Sequence, residues 1–419
     1  MMSRVLVTAL PFASRLHPKV GHAKDILARD RARAQKLLAG LQPHGPVGIQ
    51  ELRAKRSHHH RHPHHGSEGT EPTEPNDQTG GSGNSIDVTD AAVTYTTSVK
   101  VGESAQTFIL LIDTGSSNTW VGADKEYVPS STSKSTRKTV KVSYGSGSFS
   151  GTEYTDRLEL ASDLVIDEQS IGVASSAEGF SGVDGILGIG PVELTEGTVG
   201  GSGTIPTVTD NLKSEGKIEK ESIGISYVPT TGTDLANGEL TFGSEDSSKY
   251  TGEITYVPIT STSPASNYWG IDQSLSYGST TIMSTSAGIV DTGTTLLLLS
   301  SGAFKKYTTA TGAKMDESTG LLSVTEAQFE KMKNLSFKIG STTFEMTPNA
   351  QIWPRSLNTM MGGKANGIYL VVADMGSMDG SGLDFIDGFA FLQRFYSVYD
   401  TTNKQVGIAV TSHTNDTTN

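Results

Sequence analysis

Cysteine is absent from the 419 residues, which excludes a disulfide framework, a thiol nucleophile and a thiolate metal site, and leaves stability to the core. Histidine is nearly absent from the main body. Nine of the ten histidines precede residue 67, and His413 sits in a polar tail. A Ser-His-Asp arrangement or a His-built zinc site in the body would therefore lack its parts. No apolar run approaches the ~20 residues of a membrane helix, so the chain reads as soluble. A formal charge of −12 argues against a nucleic-acid partner, and no polybasic patch marks the body for a membrane. Long helical periods are also scarce.

What remains is a Gly-rich, β-rich composition, with 47 Gly and 35% hydrophobic residues, on a chain long enough for two or three domains. Strand-like runs at residues 91–101 and 106–112 predict a hairpin about Gly102-Glu103-Ser104. Runs at 138–144 and 148–155 predict another about Gly145-Ser146-Gly147. Repeated short strands indicate sandwich or barrel-like lobes. Three short helices are expected, at 206–213, 301–312 and 325–335.

The charge is split along the chain. Residues 1–66 carry 12 Lys or Arg against Asp25, Asp30 and Glu51, a surplus of +9, while the remaining residues hold 21 bases and 42 acids, or −21. Residues 1–18 read as a weak or truncated signal segment. Residues 19–41 have helical character, with Ile26, Leu27, Ala34, Leu37 and Leu38 near helical spacing. That basic, amphipathic stretch suits a removable pro-segment; membrane or calmodulin binding is the alternative. Lys55-Arg56 is a candidate processing site, and the histidines between residues 58 and 65 suit a pH-sensitive linker or, alternatively, a metal. Residues 66–85 read as linker. The expected division is a pro-region at 19–85, an N-terminal lobe at 86–265 and a C-terminal lobe at 266–419.

The chemistry concentrates in two stretches. Phe108-Ile-Leu-Leu-Ile-Asp113-Thr-Gly-Ser-Ser runs an apolar strand into an acid that such a strand should reject. Ala287-Gly-Ile-Val-Asp291-Thr-Gly-Thr-Thr repeats the spelling 178 residues later, which indicates an internal duplication. Gly115 and Gly293 let each turn bring backbone amides close to the acid, and neighbouring hydroxyls can satisfy its oxygens without adding charge. Two such loops face to face would share one proton, because like charges at close range do not both ionise easily. A single Asp-Thr-Gly would pass for an ordinary turn. The strand-led pair does not.

With these motifs the chain resembles the pepsin-like aspartic endopeptidases, nearest to fungal secreted members, over about residues 88–411. The resemblance implies an all-β, bilobal acid-protease fold with the active site in the cleft between two duplicated lobes. It also implies a catalytic pair at Asp113 and Asp291, and a flap at Tyr144-Gly145-Ser146-Gly147. Substrate would lie against Gly115, Tyr144, Gly145, Ser146, Gly293 and Thr294, with Ser116, Trp120 and Thr295 in support. Trp120 stands where family members hydrogen-bond the flap tyrosine. Asp184-Gly185-Ile186-Leu187-Gly188 matches the element beside the first catalytic loop. Its counterpart, Phe385-Ile386-Asp387-Gly388-Phe389, departs from the family pattern, with an acid where an apolar residue is usual and Phe389 where an acid is usual. The closing strands match again at residues 395–400 and 404–408.

The implied activity is acid-pH hydrolysis of peptide bonds by a water held between the two carboxylates, with no metal, no cofactor and no covalent intermediate. Protein or peptide substrates, inhibition by pepstatin-like compounds, a monomer, and secretion, with the vacuole as alternative, complete the expectation. Sequons at Asn334 and Asn415 agree with secretion. A glycosidase could also use two carboxylates, but would not explain their shared spelling. A noncatalytic binding protein on the same fold would usually have lost an Asp or the flap tyrosine.

Overall fold

The computed structural model describes residues 12–13, 23–39, 84–145 and 147–418. The dibasic pair, the histidine tract, most of the linker, most of the signal segment and Ser146 lie outside these residues. A short pair, Phe12–Ala13 with Phe180–Ser181, runs parallel.

The apolar run before Asp113 is buried on both faces from Leu110 onward, and its strand, Gln106–Asp113, is paired on both edges. Tyr95–Val101 pairs antiparallel on one side, and Gly185–Gly188 pairs parallel on the other, with Gly188 opposite Asp113. Such a strand needs no polar alternation. The second half repeats this plan. Thr280–Val290 pairs antiparallel with Gly270–Tyr277 and parallel with Phe385–Asp387. In both halves a further short strand, Trp120–Val121 or Leu297–Leu299, closes the far edge antiparallel. The duplication read from two loops thus extends to their four-strand surroundings.

Glycine at the crossing point is required by contact. A Cβ on Gly188 would lie 2.6 Å from the Asn118 oxygen, and one on Gly388 would lie 2.5 Å from the Thr294 oxygen. Each glycine lets its strand press against the backbone of the adjacent Asp loop.

Thirteen strands form one sheet and seven form another. Phe395–Asp400 and Gln405–Val410, late in the chain, join the larger sheet by pairing with Ser222–Ser226 and Thr251–Pro258. The two halves therefore share a hydrogen-bonded base. The molecule thus has two β lobes, each carrying one Asp loop, joined at that base.

Both expected hairpins form, with turns after Val101 and Ser143. Helices occupy Val208–Ser214, opened by a Thr207/Asp210 capping box, and Ser301–Thr311, closed by left-handed Gly312. The third is shorter than expected. A capping box at Thr325 and Gln328 starts a helix that spans only Glu326–Phe329. Leu335–Ile339 is instead a strand, because Leu335, Phe337 and Ile339 alternate inward and are paired on both edges.

Residues 19–41 yield a single helix, α1, over Ala23–Leu38. Ile26, Leu27, Ala34 and Leu37 are buried as the periodicity implies. Arg29, Asp30 and Arg33 are buried as well, which an amphipathic reading with a solvated charged face does not anticipate. A buried charge needs partners, and the partners locate the site.

Candidate active site

Asp113 ends its strand fully buried, and its carboxylate is held by the turn that follows. Gly115 N donates to Oδ1 at 3.0 Å, and the Ser116 hydroxyl donates to Oδ2. Asp291 is held the same way: Gly293 N donates to Oδ1 at 3.3 Å and Thr294 Oγ1 to Oδ2 at 2.6 Å. The repeated spelling therefore translates into repeated hydrogen bonds.

The loops are joined to each other by the threonines of both copies. Thr114 N donates to Thr292 Oγ1 at 3.0 Å, and Thr292 N donates to Thr114 Oγ1 at 2.9 Å. Thr292 Oγ1 donates onward to the Ile112 carbonyl at 3.0 Å. Substituting either threonine by valine removes an acceptor and leaves a buried amide of the other loop unpaired. Thr114→Val and Thr292→Val are each expected to lower the unfolding free energy by about 1–3 kcal/mol, measured by urea denaturation. Unchanged midpoints in both would show that the exchange carries no weight.

The flap hairpin closes through Tyr144 N, which donates to the Gly147 carbonyl at 2.7 Å. Trp120 Nε1 donates to the Tyr144 hydroxyl at 2.9 Å, and the indole stacks on Phe149 with centroids 4.2 Å apart. Phe180 meets both Trp120 and Tyr144 edge-on. This aromatic cluster fixes the base of the flap.

Helix α1 lies between the flap and the two carboxylates. Arg33 Nη2 donates to Asp113 Oδ1 at 2.5 Å and to Asp291 Oδ1 at 2.8 Å, while its Nε donates to Asp291 Oδ2 at 2.7 Å. One guanidinium thus bridges both acids. A Cβ on Gly145 would lie 2.5 Å from the Arg33 amide nitrogen, so the flap glycine is what admits the helix this closely.

Burial pushes the Asp291 carboxyl up, but Arg33, Thr294 and Gly293 more than offset it, and the group sits below the usual carboxylate range. Burial works against the Arg33 charge too, yet Asp113 and Asp291 hold its pKa well above the ordinary value.

The rest of the helix is anchored beside the second loop. Asp30 Oδ2 accepts from the amides of Thr295 and Leu296 at 3.0 and 2.9 Å, and Arg29 bonds both Asp30 and the Thr295 hydroxyl. Burial raises the Asp30 pKa despite these donors. Arg31 Nε donates to the Asp374 carbonyl at 2.7 Å, and Gln35 Nε2 to the Met375 carbonyl at 3.2 Å. The Lys36 ammonium is enclosed without a hydrogen-bond partner among the described residues, 5.7 Å from the Tyr144 ring centroid. Burial, reinforced by Arg33, lowers its pKa to about 7.

The structure thus gathers Asp113, Asp291, Gly115, Gly293, Ser116, Thr294, Trp120, Tyr144 and Gly145 around one point. Thr295 faces α1, through its amide to Asp30, and donates its hydroxyl to the Val93 carbonyl at 2.8 Å. Thr114 and Thr292 were not singled out from sequence, although their recurrence in both copies was visible. Arg33 and Asp30 had no distinguishing mark within a basic stretch.

Residues 94–411 match the family model described as "Eukaryotic aspartyl protease". Polyporopepsin of Irpex lacteus is 61% identical over 338 residues, covering 80% of this chain and 99% of that protein. Rhizopuspepsin-1 of Rhizopus niveus is 34% identical over 333 residues, covering 76% and 79%. A crystal structure of the aspartic proteinase from Irpex lacteus superposes with a TM-score of 0.78 and 61% identity, covering 80% of this chain and 99% of that one. With these likenesses across both Asp-Thr-Gly loops and the flap, the chain belongs to the eukaryotic aspartyl proteases and is a pepsin-like, aspartic-type endopeptidase acting on proteins or peptides.

Proposed function

We propose that Asp113 and Asp291 are the catalytic pair and that the chain is made as a zymogen, with α1 as the part of a pro-segment that occupies the cleft. The observation that carries both readings is the Arg33 guanidinium, hydrogen-bonded to the two carboxylates at once. It fills the place where a water would have to sit. Once it leaves, two like charges remain in a buried site, and one proton between them is the favoured state, as is familiar for aspartic proteases. The ionised carboxylate then takes a proton from the attacking water, and the protonated one donates to the scissile carbonyl oxygen. A proton passes to the leaving nitrogen afterwards. No bond to the enzyme forms.

Acid releases the segment through the carboxylate that Arg33 holds. Asp291 has a lowered pKa while α1 is docked, so its contribution is present above the free carboxyl value and is lost as pH falls through the docked one. Asp30 has the opposite sign. Its raised pKa favours docking at low pH and loses that contribution as pH rises. Lys36 gives up docking stability between its free value of 10.5 and about 7, so it is a standing cost in acid. Among the described residues the seal rests on these few groups.

The same contacts bear on specificity. The enclosed Lys36 ammonium beside Tyr144 finds no hydrogen-bond acceptor among the described residues, and the sequence places no acid at the flap tip, where Ser146 stands. We expect hydrophobic and aromatic residues to be preferred flanking the cleaved bond. A peptide-library profile dominated by Lys or Arg on the acyl side would contradict this. The reading further includes inhibition by pepstatin-like compounds, a monomeric enzyme and export from the cell, with the chain divided near residues 85 and 265. Acid-pH digestion of a denatured protein with and without pepstatin, beside the Asp113→Asn and Asp291→Asn variants, tests the reading as a whole.

A further inference from the structure

The two halves part company at one buried position behind the Asp loops. Leu187 pairs with Ile112, one residue before Asp113, and Asp387 pairs with Val290, one residue before Asp291. Both side chains are fully buried. An apolar residue satisfies the first position, so packing alone does not call for an acid at the second, where its burial costs free energy.

Asp387 is fully buried, and its surroundings are almost free of charge. Gln273, buried on Gly270–Tyr277, donates Nε2 to Asp387 Oδ1 at 3.2 Å. Asp387 Oδ2 and Gln273 Oε1 have no hydrogen-bond partner among the described residues. The strands flanking Asp387 present Ile289, Val290 and Leu297. The titratable groups facing it are Tyr399, whose hydroxyl it helps to raise, and Asp291, whose amide donates to the Asp387 carbonyl at 3.1 Å. Among the described residues no Lys, Arg or His acts on its carboxyl, and burial pushes that group well above the usual range.

Ionised, Asp387 would leave two acceptor oxygens unpaired side by side. Protonated, it has an O–H to donate, and Gln273 Oε1 is the free acceptor on the side chain already bonded to it.

We propose that Asp387 is a positioning residue that works as a neutral carboxylic acid, paired with Gln273, and that this pair holds the strand end against which the Asp291 loop is set. The inference rests on Asp291 being half of the catalytic pair. It makes the second loop conditional on pH in a way the first, backed by Leu187, is not. An acid with a raised folded-state pKa stabilises fully below its free value, and that contribution is lost as pH rises toward the folded value. The geometry around Asp291 is therefore secure in acid and weakened near neutrality.

The test compares the full chain and its acid-processed product with Asp387→Asn, which keeps the shape but cannot ionise. Thermal midpoints between about pH 3 and pH 8, the rate of inactivation near pH 7, and the infrared carbonyl band of a protonated carboxyl are recorded. The wild-type midpoint should fall with pH more steeply than that of Asp387→Asn, by one proton's contribution. Neutral inactivation should slow by about tenfold in the variant, and its infrared difference from wild type should show the loss of one protonated carboxyl. Asp90, a second buried acid raised to about 7, contributes equally to both proteins and cancels from the difference. If Asp387→Asn does not fold, Asp387→Leu, which copies the residue of the first half, carries the same readouts. Parallel pH dependence in wild type and variant, or no lost infrared band, would overturn the proposal. Failure of the catalytic assignment would appear elsewhere, as activity surviving in Asp291→Asn.

Discussion

Asp113→Asn and Asp291→Asn should each cut peptide hydrolysis by about 10²–10⁴-fold or more, the scale of losing a positioned acid or base. The fold should survive, because an amide oxygen in the Oδ1 place still accepts from the Gly115 or Gly293 amide, and the Ser116 or Thr294 hydroxyl can turn to accept from the new NH2. The double variant should be little worse than either single one, since residues that work as a unit lose their function together. Because such chains would not process themselves, they are best cleaved in trans by wild-type enzyme before assay. Near-normal turnover in either variant would dissolve the pair.

The second large effect belongs to Arg33. Replacing it by methionine keeps much of the side chain's volume but leaves Asp113 and Asp291 facing each other under α1 with no cation between them. Breaking a buried ion pair by removing one partner costs about 3–5 kcal/mol, which weakens docking of the helix by about 10²- to 10⁴-fold. Arg33→Lys should fall between. Its ammonium keeps the charge but cannot reproduce the fork that reaches Asp291 through both Nε and Nη2 while Nη2 also holds Asp113. The remaining anchors, chiefly Asp30 on the amides of Thr295 and Leu296, then have to hold the segment alone. We expect Arg33→Met to be cleavage-competent near neutral pH, and Arg33→Lys to process at a pH above that of wild type.

Much of this is legible in the amino-acid sequence. Local patterning marked the paired loops, since an apolar strand ending in Asp-Thr-Gly twice over has few physical explanations. The Gly-centred hairpin at 145–147 followed from strand patterning as well, while the Ser116, Thr294 and Trp120 contacts followed from the family resemblance. Arg33 did not, because a helix's charge pattern does not say which cation meets a site 80 residues away in sequence. Nor did the Thr114–Thr292 exchange, which depends on the loops meeting in space. At 325–335 the capping box was a true helix start, but tertiary pairing of Leu335–Ile339 cut the helix short. Asp387 was visible as a departure from pattern, and its meaning waited on Gln273 being beside it.

The most direct test holds full-length wild type and Arg33→Met near pH 7, then shifts both to about pH 3.5, near free carboxyl values, while intact mass and hydrolysis of a fluorogenic peptide are followed together. Wild type should be silent at neutral pH, then gain activity as it is cut between about residues 50 and 90, around the segment whose composition reads as a linker, while Arg33→Met should already hydrolyse peptide or process itself before the shift. Full activity of uncleaved wild type at pH 7, or an Arg33→Met chain as silent there as wild type, would contradict a catalytic pair sealed by α1.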